Sequence, residues 1–168
     1  MDIGLRYFVL GSVELRKFEE QFERVKRWYE RFEKIDQGKL HDANSDYYQD
    51  EVYAFFLNCY HLKDWIKHDD TIPAHARRKV EVFTKSRNCL RICRDICIAV
   101  KHLDMRSKPL SGRVPEWRGR KIHLVLGGRQ PTLGVKYSLM TGKGLMDAFD
   151  LATNCIREWE QIIKANIT

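Results

Sequence analysis

From position 12 the chain alternates apolar residues at steps of three and four: Leu15, Phe18, Phe22, Val25, Tyr29 and Phe32 line up on one helical face. The pairs Glu20/Arg24, Glu23/Arg27 and Glu30/Lys34 sit four apart on the opposite side. This predicts a long amphipathic helix with Ser12 as N-cap and Gly38 as its stop, followed by polar turn material in KLHDANSDYYQD. A second helix, about Asp50 to His68, carries the stripe Val52, Phe55, Phe56, Cys59, Leu62 and Ile66, widened by Tyr53, Leu57 and Tyr60. Apolar on so much of its circumference, it belongs at the centre of the fold. Pro73 ends that stretch. A third helix is expected from about Pro73 to Leu103, with a break near Thr84 to Asn88 and with Cys89, Cys93, Ile96, Val100 and Leu103 facing inward.

The pattern then changes. MRSKPLSGRVPEWRGRK, Met105 to Lys121, has no periodicity and reads as a loop, whereas KIHLVL and VKYSLM alternate around the glycine-rich GGRQPTLG and read as a β-hairpin. Helical spacing returns from about Leu145 to Ile163 through Ala148, Phe149, Ala152, Cys155, Ile156 and Trp159. The expected architecture is mainly α: one domain over residues 1–168, a bundle of four to five helices with a β-hairpin before the C-terminal helix.

Composition adds one localised feature. The net charge is +7, yet residues 73–121 hold fourteen Lys or Arg against four Asp or Glu. Positive charge clustered in this way attracts phosphate backbones, which makes RNA or another nucleic acid a reasonable partner; a solubilising surface is the plainer alternative. The five cysteines are odd in number, and three of them follow one helix, which is no disulfide framework. Cys89, Cys93 and Cys97 recur every four residues among Leu90, Ile92 and Ile96, and read as small core residues instead of metal ligands. His61, His68 and His75 recur every seven residues, but Pro73 breaks the helix before the third, so no metal and no cofactor is expected. No apolar run is long enough for a signal or a membrane span, so a reduced cytoplasmic location is expected.

Candidate chemistry lies on the third helix, in ICRDICIAVKHL. Positions seven apart differ by only ~20° in projection, so Arg94 aligns with Lys101 and Asp95 with His102. Each aligned pair is ~10 Å apart along the axis, beyond a direct hydrogen bond, and the near neighbour for Asp95 is Arg91, four residues away. The second helix offers a matching polar row of Asn58, His61, Asp64, Trp65 and His68, in which Asp64 can orient His61 and His68. Facing each other, the rows would combine imidazole, carboxylate, guanidinium and ammonium, a set suited to phosphoryl chemistry without metal. Arg113, Arg118 and Arg120 around Trp117, with Arg129 in the hairpin turn, form a second candidate surface, a cationic grip with one stacking ring for single-stranded RNA.

The element order, together with RDICIAVKH from Arg94 to His102, resembles the HEPN domain superfamily. The resemblance implies a metal-independent endoribonuclease or toxin acting at a cleft between two protomers of a homodimer. The roles would fall on Arg94, Asp95 and His102, the interval here being seven residues, one longer than the family pattern. NCYHLKDW, Asn58 to Trp65, with KHL at the end of the next helix, also resembles small uncharacterised bacterial proteins, which implies no activity. The remaining alternative is a non-catalytic nucleic-acid-binding or partner-binding bundle.

Overall fold

The computed structural model describes residues 16–39, 45–101 and 108–167. It contains five helices, as the polar and apolar pattern predicts, and an antiparallel sheet before the last helix that has three strands where a two-stranded hairpin is expected. Helix α1 (Lys17–Gln37) buries Phe18, Phe22, Val25 and Phe32, while Tyr29 stacks on Phe149 at 5.2 Å between centroids. Ser12, the expected cap, lies outside the described residues. The first turn is closed instead by Glu19, whose Oε2 accepts the Arg16 backbone N–H at 2.9 Å. Glu20 pairs with Arg24 as the spacing predicts, but Glu23 takes Lys26, three residues on, rather than Arg27.

Helix α1 stops where Gly38 donates its N–H to the Lys34 carbonyl, with φ at +109°. A Cβ at Gly38 would fall 2.7 Å from Thr132 Oγ1 and 2.8 Å from Val125 Cγ2, so both backbone conformation and neighbouring hairpin require glycine. Lys39 and Leu133 then exchange backbone hydrogen bonds, each 3.2 Å, tying the end of the helix to the sheet.

Helix α2 (Ser45–Lys67) begins five residues before the expected Asp50 and runs through the centre. Val52, Phe55, Phe56, Cys59, Leu62 and Ile66 are completely buried. At its end Asp69 is buried too, and it organises two distant segments: Oδ2 accepts the Phe18 N–H at 3.0 Å, while Oδ1 accepts the Thr71 N–H and hydroxyl at 3.0 and 2.6 Å. Burial alone would raise this carboxyl; the three donated hydrogen bonds outweigh it and hold Asp69 below its ordinary value.

The expected third helix is two, α3 (Ala74–Ser86) and α4 (Asn88–Lys101), separated at Arg87, which adopts extended geometry inside the predicted break. The sheet holds two departures from expectation. Strand β1 (Glu116–Val125) takes in the last six residues of the expected loop and pairs with β2 (Thr132–Thr141). A register shift between Trp117 and Gly119 interrupts the alternation there, which is why the segment has no visible period. The other is β3 (Gly144–Asp147), so that Leu145 is an exposed strand residue and α5 (Ala148–Asn166) starts only after Asp147. Asp147 caps α5, accepting from the Phe149 and Asp150 N–H groups.

Val135, Tyr137 and Leu139 of β2 face the helices and are buried. Three thiols meet in the core: Cys59 of α2, Cys93 of α4 and Cys155 of α5 are all inaccessible, with their sulfur atoms within 4.8 Å of one another. The period-four row on α4 does not form this cluster. Cys93 joins it, Cys97 is buried elsewhere, and Cys89 is half-buried beside Cys155. Burial pushes Cys155 and Cys93 well up; Cys59, against the same burial penalty, is held well below the ordinary thiol value by the neighbouring Cys155, Cys93 and Trp159 side chains.

Candidate functional site

The polar rows of α2 and α4 do face each other. His61 Nε2 lies 3.2 Å from Lys101 Nζ, and His61 Nδ1 lies 3.4 Å from Asp64 Oδ2. An ammonium can only donate, so Nε2 accepts and the proton of the neutral imidazole sits on Nδ1, toward Asp64. The three side chains therefore present a carboxylate, an oriented imidazole and a cation in sequence, partly open to solvent. His68 belongs to the same helix but not to this group: its Nδ1 contacts the Asp64 backbone carbonyl at 2.7 Å and the ring is exposed. Asn58 serves packing, donating to the Ala54 carbonyl and accepting from Gln21. The Trp65 ring is covered by the Arg24 guanidinium at 5.4 Å.

On α4, Asp95 is completely buried, and its partners differ from the spacing expectation. Oδ1 accepts from Arg94 Nη1 at 2.7 Å and from the Leu110 N–H at 3.2 Å; Oδ2 accepts from the Ser111 N–H and hydroxyl, both 2.7 Å. Four donors fill the four lone-pair directions of a carboxylate, so Asp95 anchors the segment entering β1 and has no acceptor site left for a substrate proton. Arg91, the partner expected from the four-residue interval, donates to Asn88 Oδ1 at 3.2 Å instead. His102 lies outside the described residues.

Beside these residues is a cleft of about 310 Å³ between α2, α3 and α4, lined by Tyr60, Lys63, Glu81, Lys85, Arg91 and Arg94 among others. Four cations meet one acid there. Burial disfavours the charged form of Lys63, but Tyr60, Asp64 and Glu81 outweigh it and raise its pKa. Glu81, also opposed by burial, is lowered by Lys63, Lys85 and Lys67. Lys63 joins cleft to dyad, since its Nζ is 3.6 Å from Asp64 Oδ1. Arg91 Nε is buried and has no hydrogen-bond partner among the described residues, a guanidinium N–H with spare capacity in the wall of a cationic cleft. Periodicity on one helix cannot reveal Tyr60, Lys63, Glu81 and Lys85 as its lining, because the cleft depends on how α3 packs across α2. The excess of basic residues from position 73 onward was the available signal.

The second predicted surface is placed differently from its expectation. Trp117 is half-buried with edge contacts to Tyr53, Phe56 and Tyr137 at 5.2, 6.4 and 6.0 Å, so its ring is packed into the core side of the sheet. Arg113 and Arg118 both pair with Glu116, and Arg120 and Arg129 are exposed on β1 and in the β1–β2 turn. They remain a basic surface without a stacking ring. Among the described residues, no helix is long and apolar enough to cross a membrane.

With this geometry in hand, comparison of the chain with protein-family models, with curated proteins and with solved structures finds no match.

Proposed function

We propose that the protein binds single-stranded RNA along the cationic face of α2, α3 and α4, and cleaves it without metal at the Asp64–His61–Lys101 group. The observation that carries this reading is the His61 imidazole held between a carboxylate and an ammonium next to a cleft rich in Lys and Arg. A phosphate in the cleft would meet Lys63, Lys85 and the Arg91 guanidinium that line it. When Lys101 shifts from Nε2 onto a phosphate oxygen, Nε2 becomes a base able to take the proton of a 2′-hydroxyl. The 2′-oxygen attacks phosphorus, the ammonium stabilises charge developing on the phosphorane, and the P–O5′ bond breaks as the imidazolium returns its proton to the leaving 5′-oxygen, giving a 2′,3′-cyclic phosphate. The HEPN resemblance of Arg94 to His102 supports the same chemistry and implies a homodimer whose two copies both contribute to the cleft.

The second reading is RNA binding without cleavage, and the saturated Asp95 favours it, because the residue carrying the motif's polar position is committed to a loop. One experiment separates them: a labelled single-stranded RNA is incubated with wild type and His61→Ala in chelator, at several salt concentrations. Chelator-resistant cleavage lost in His61→Ala, with binding retained, supports the nuclease. Salt-sensitive binding with intact RNA supports the binding module, and affinity that does not change with salt overturns both.

A further inference from the structure

We propose that Cys59, Cys93 and Cys155 form a thiolate site for one thiophilic d10 metal ion, Zn(II) or Cu(I), with Cys89 at its entrance. Four observations converge on it. The three sulfurs come from three different helices, α2, α4 and α5, yet lie within 4.8 Å of one another in a region with no solvent exposure. Zinc–thiolate bonds of ~2.3 Å in tetrahedral geometry place sulfurs ~3.8 Å apart, so a small inward movement converts this triangle into three sides of a coordination shell. A trigonal Cu(I) centre needs a triangle of similar size.

The shell also has an outer donor. Trp159 is completely buried and its indole Nε1 has no hydrogen-bond partner among the described residues, although its side chain interacts with Cys59. A buried indole N–H beside the cluster is the kind of donor a metal-bound thiolate takes from its surroundings, and left without an acceptor it carries a desolvation cost. Cys93 gives its remaining polar contact to the Phe56 carbonyl at 3.4 Å, which fixes its rotamer toward α2.

Finally, there is a path in. Cys89, one turn before Cys93, lies beside Cys155 and lines an open cavity of about 320 Å³ whose wall includes Asn88, Asn154, Arg157 and Glu158. An ion captured at Cys89 can pass to Cys155 and inward, and Cys89 is the fourth thiolate available to Zn(II). Binding forms three metal–sulfur bonds, releases the thiol protons to solvent and changes no oxidation state.

The test uses the full chain, reduced and stripped with chelator, then titrated with Co(II) as a spectroscopic probe, with Zn(II), and with Cu(I) against a chromophoric chelator. The expected result is one equivalent per chain with a sulfur-to-metal charge-transfer band. The preferred ion is the one that displaces the other. Cys59→Ser and Cys155→Ser lose the band, Cys97→Ser keeps it, and Trp159→Phe keeps it with affinity weakened roughly tenfold. Near-ultraviolet circular dichroism shows whether each variant is folded. Should the serine variants not fold, the wild-type titration decides alone: a charge-transfer band at one equivalent supports the site. A folded, reduced wild type that takes up none of the three ions, or binds them as well in folded Cys59→Ser, overturns it.

Discussion

His61 Nε2 and Lys101 Nζ, forty residues apart in sequence, meet at 3.2 Å, and this contact closes the space between α2 and α4. It holds the imidazole in one tautomer and blocks its basic nitrogen with a cation that a phosphate can draw away. His61→Ala should therefore lower chelator-resistant RNA cleavage by about 10²-fold or more, and Lys101→Ala by a similar factor, while affinity changes much less. Single-turnover cleavage and equilibrium binding of the same oligonucleotide check the split.

Arg91 should act through binding. Replacing it with alanine removes one phosphate contact, so the slope of log K against log salt should fall in magnitude by about one, uniformly across RNA sequences. Arg129, exposed in the hairpin turn away from the cleft residues, is the comparison: Arg129→Ala should leave the slope closer to wild type. Fluorescence anisotropy at several salt concentrations measures both.

Asp95→Ala should damage stability before it damages chemistry. It leaves the Arg94 guanidinium without its 2.7 Å carboxylate partner and strands the Leu110 and Ser111 N–H groups. Removing one member of a buried ion pair costs about 3 to 5 kcal/mol, which urea unfolding would register. Hydrogen exchange at Leu110 and Ser111 should accelerate in the same variant.

Asp69 gives a pH signature of known sign. Its folded carboxyl titrates below the ordinary value, so its contribution is complete above that ordinary value and is lost as pH falls through the lowered folded one. Asp69→Ala should cost about 2 to 3 kcal/mol at pH 7, and the gap from wild type should narrow progressively below about pH 4. Urea titrations across that range would show it.

Gly38→Ala should destabilise by about 1 to 3 kcal/mol, since the alanine must both hold φ near +109° and displace Thr132 and Val125. Gly134→Ala should cost as much or more, because its Cβ would fall 2.3 Å from the His123 ring. Thermal unfolding of the two variants checks this.

Much of the fold was legible because each helix repeats its apolar spacing: the Phe18 to Phe32 stripe, the wholly buried Val52 to Ile66 row and the break at Arg87 all follow from local pattern. What stayed hidden was non-local or interrupted. The shift at Trp117 and Gly119 broke the alternation of β1, and β3 is too short to show a period. At the site, facing rows were readable from helical projection, which brought His61 to Lys101. The partners of Asp95 were not, since they come from fifteen and sixteen residues downstream, after a stretch of sequence with no period. The thiol cluster escaped for the same reason: its members lie on three helices, and their nearness is a property of packing alone.

The clasp between Lys39 and Leu133 reaches beyond α1. With β3 covering Ser138 to Thr141 and Lys39 covering Leu133, β2 is occupied at both ends of the flank opposite β1. Among the described residues, a foreign strand seeking a long ladder must add to the outer side of β1, where Arg118, Arg120 and Lys121 repel a second copy of the same edge. One short backbone exchange thus narrows the routes to aggregation, leaving the short edge of β3 and a long edge on β1 that is guarded by charge.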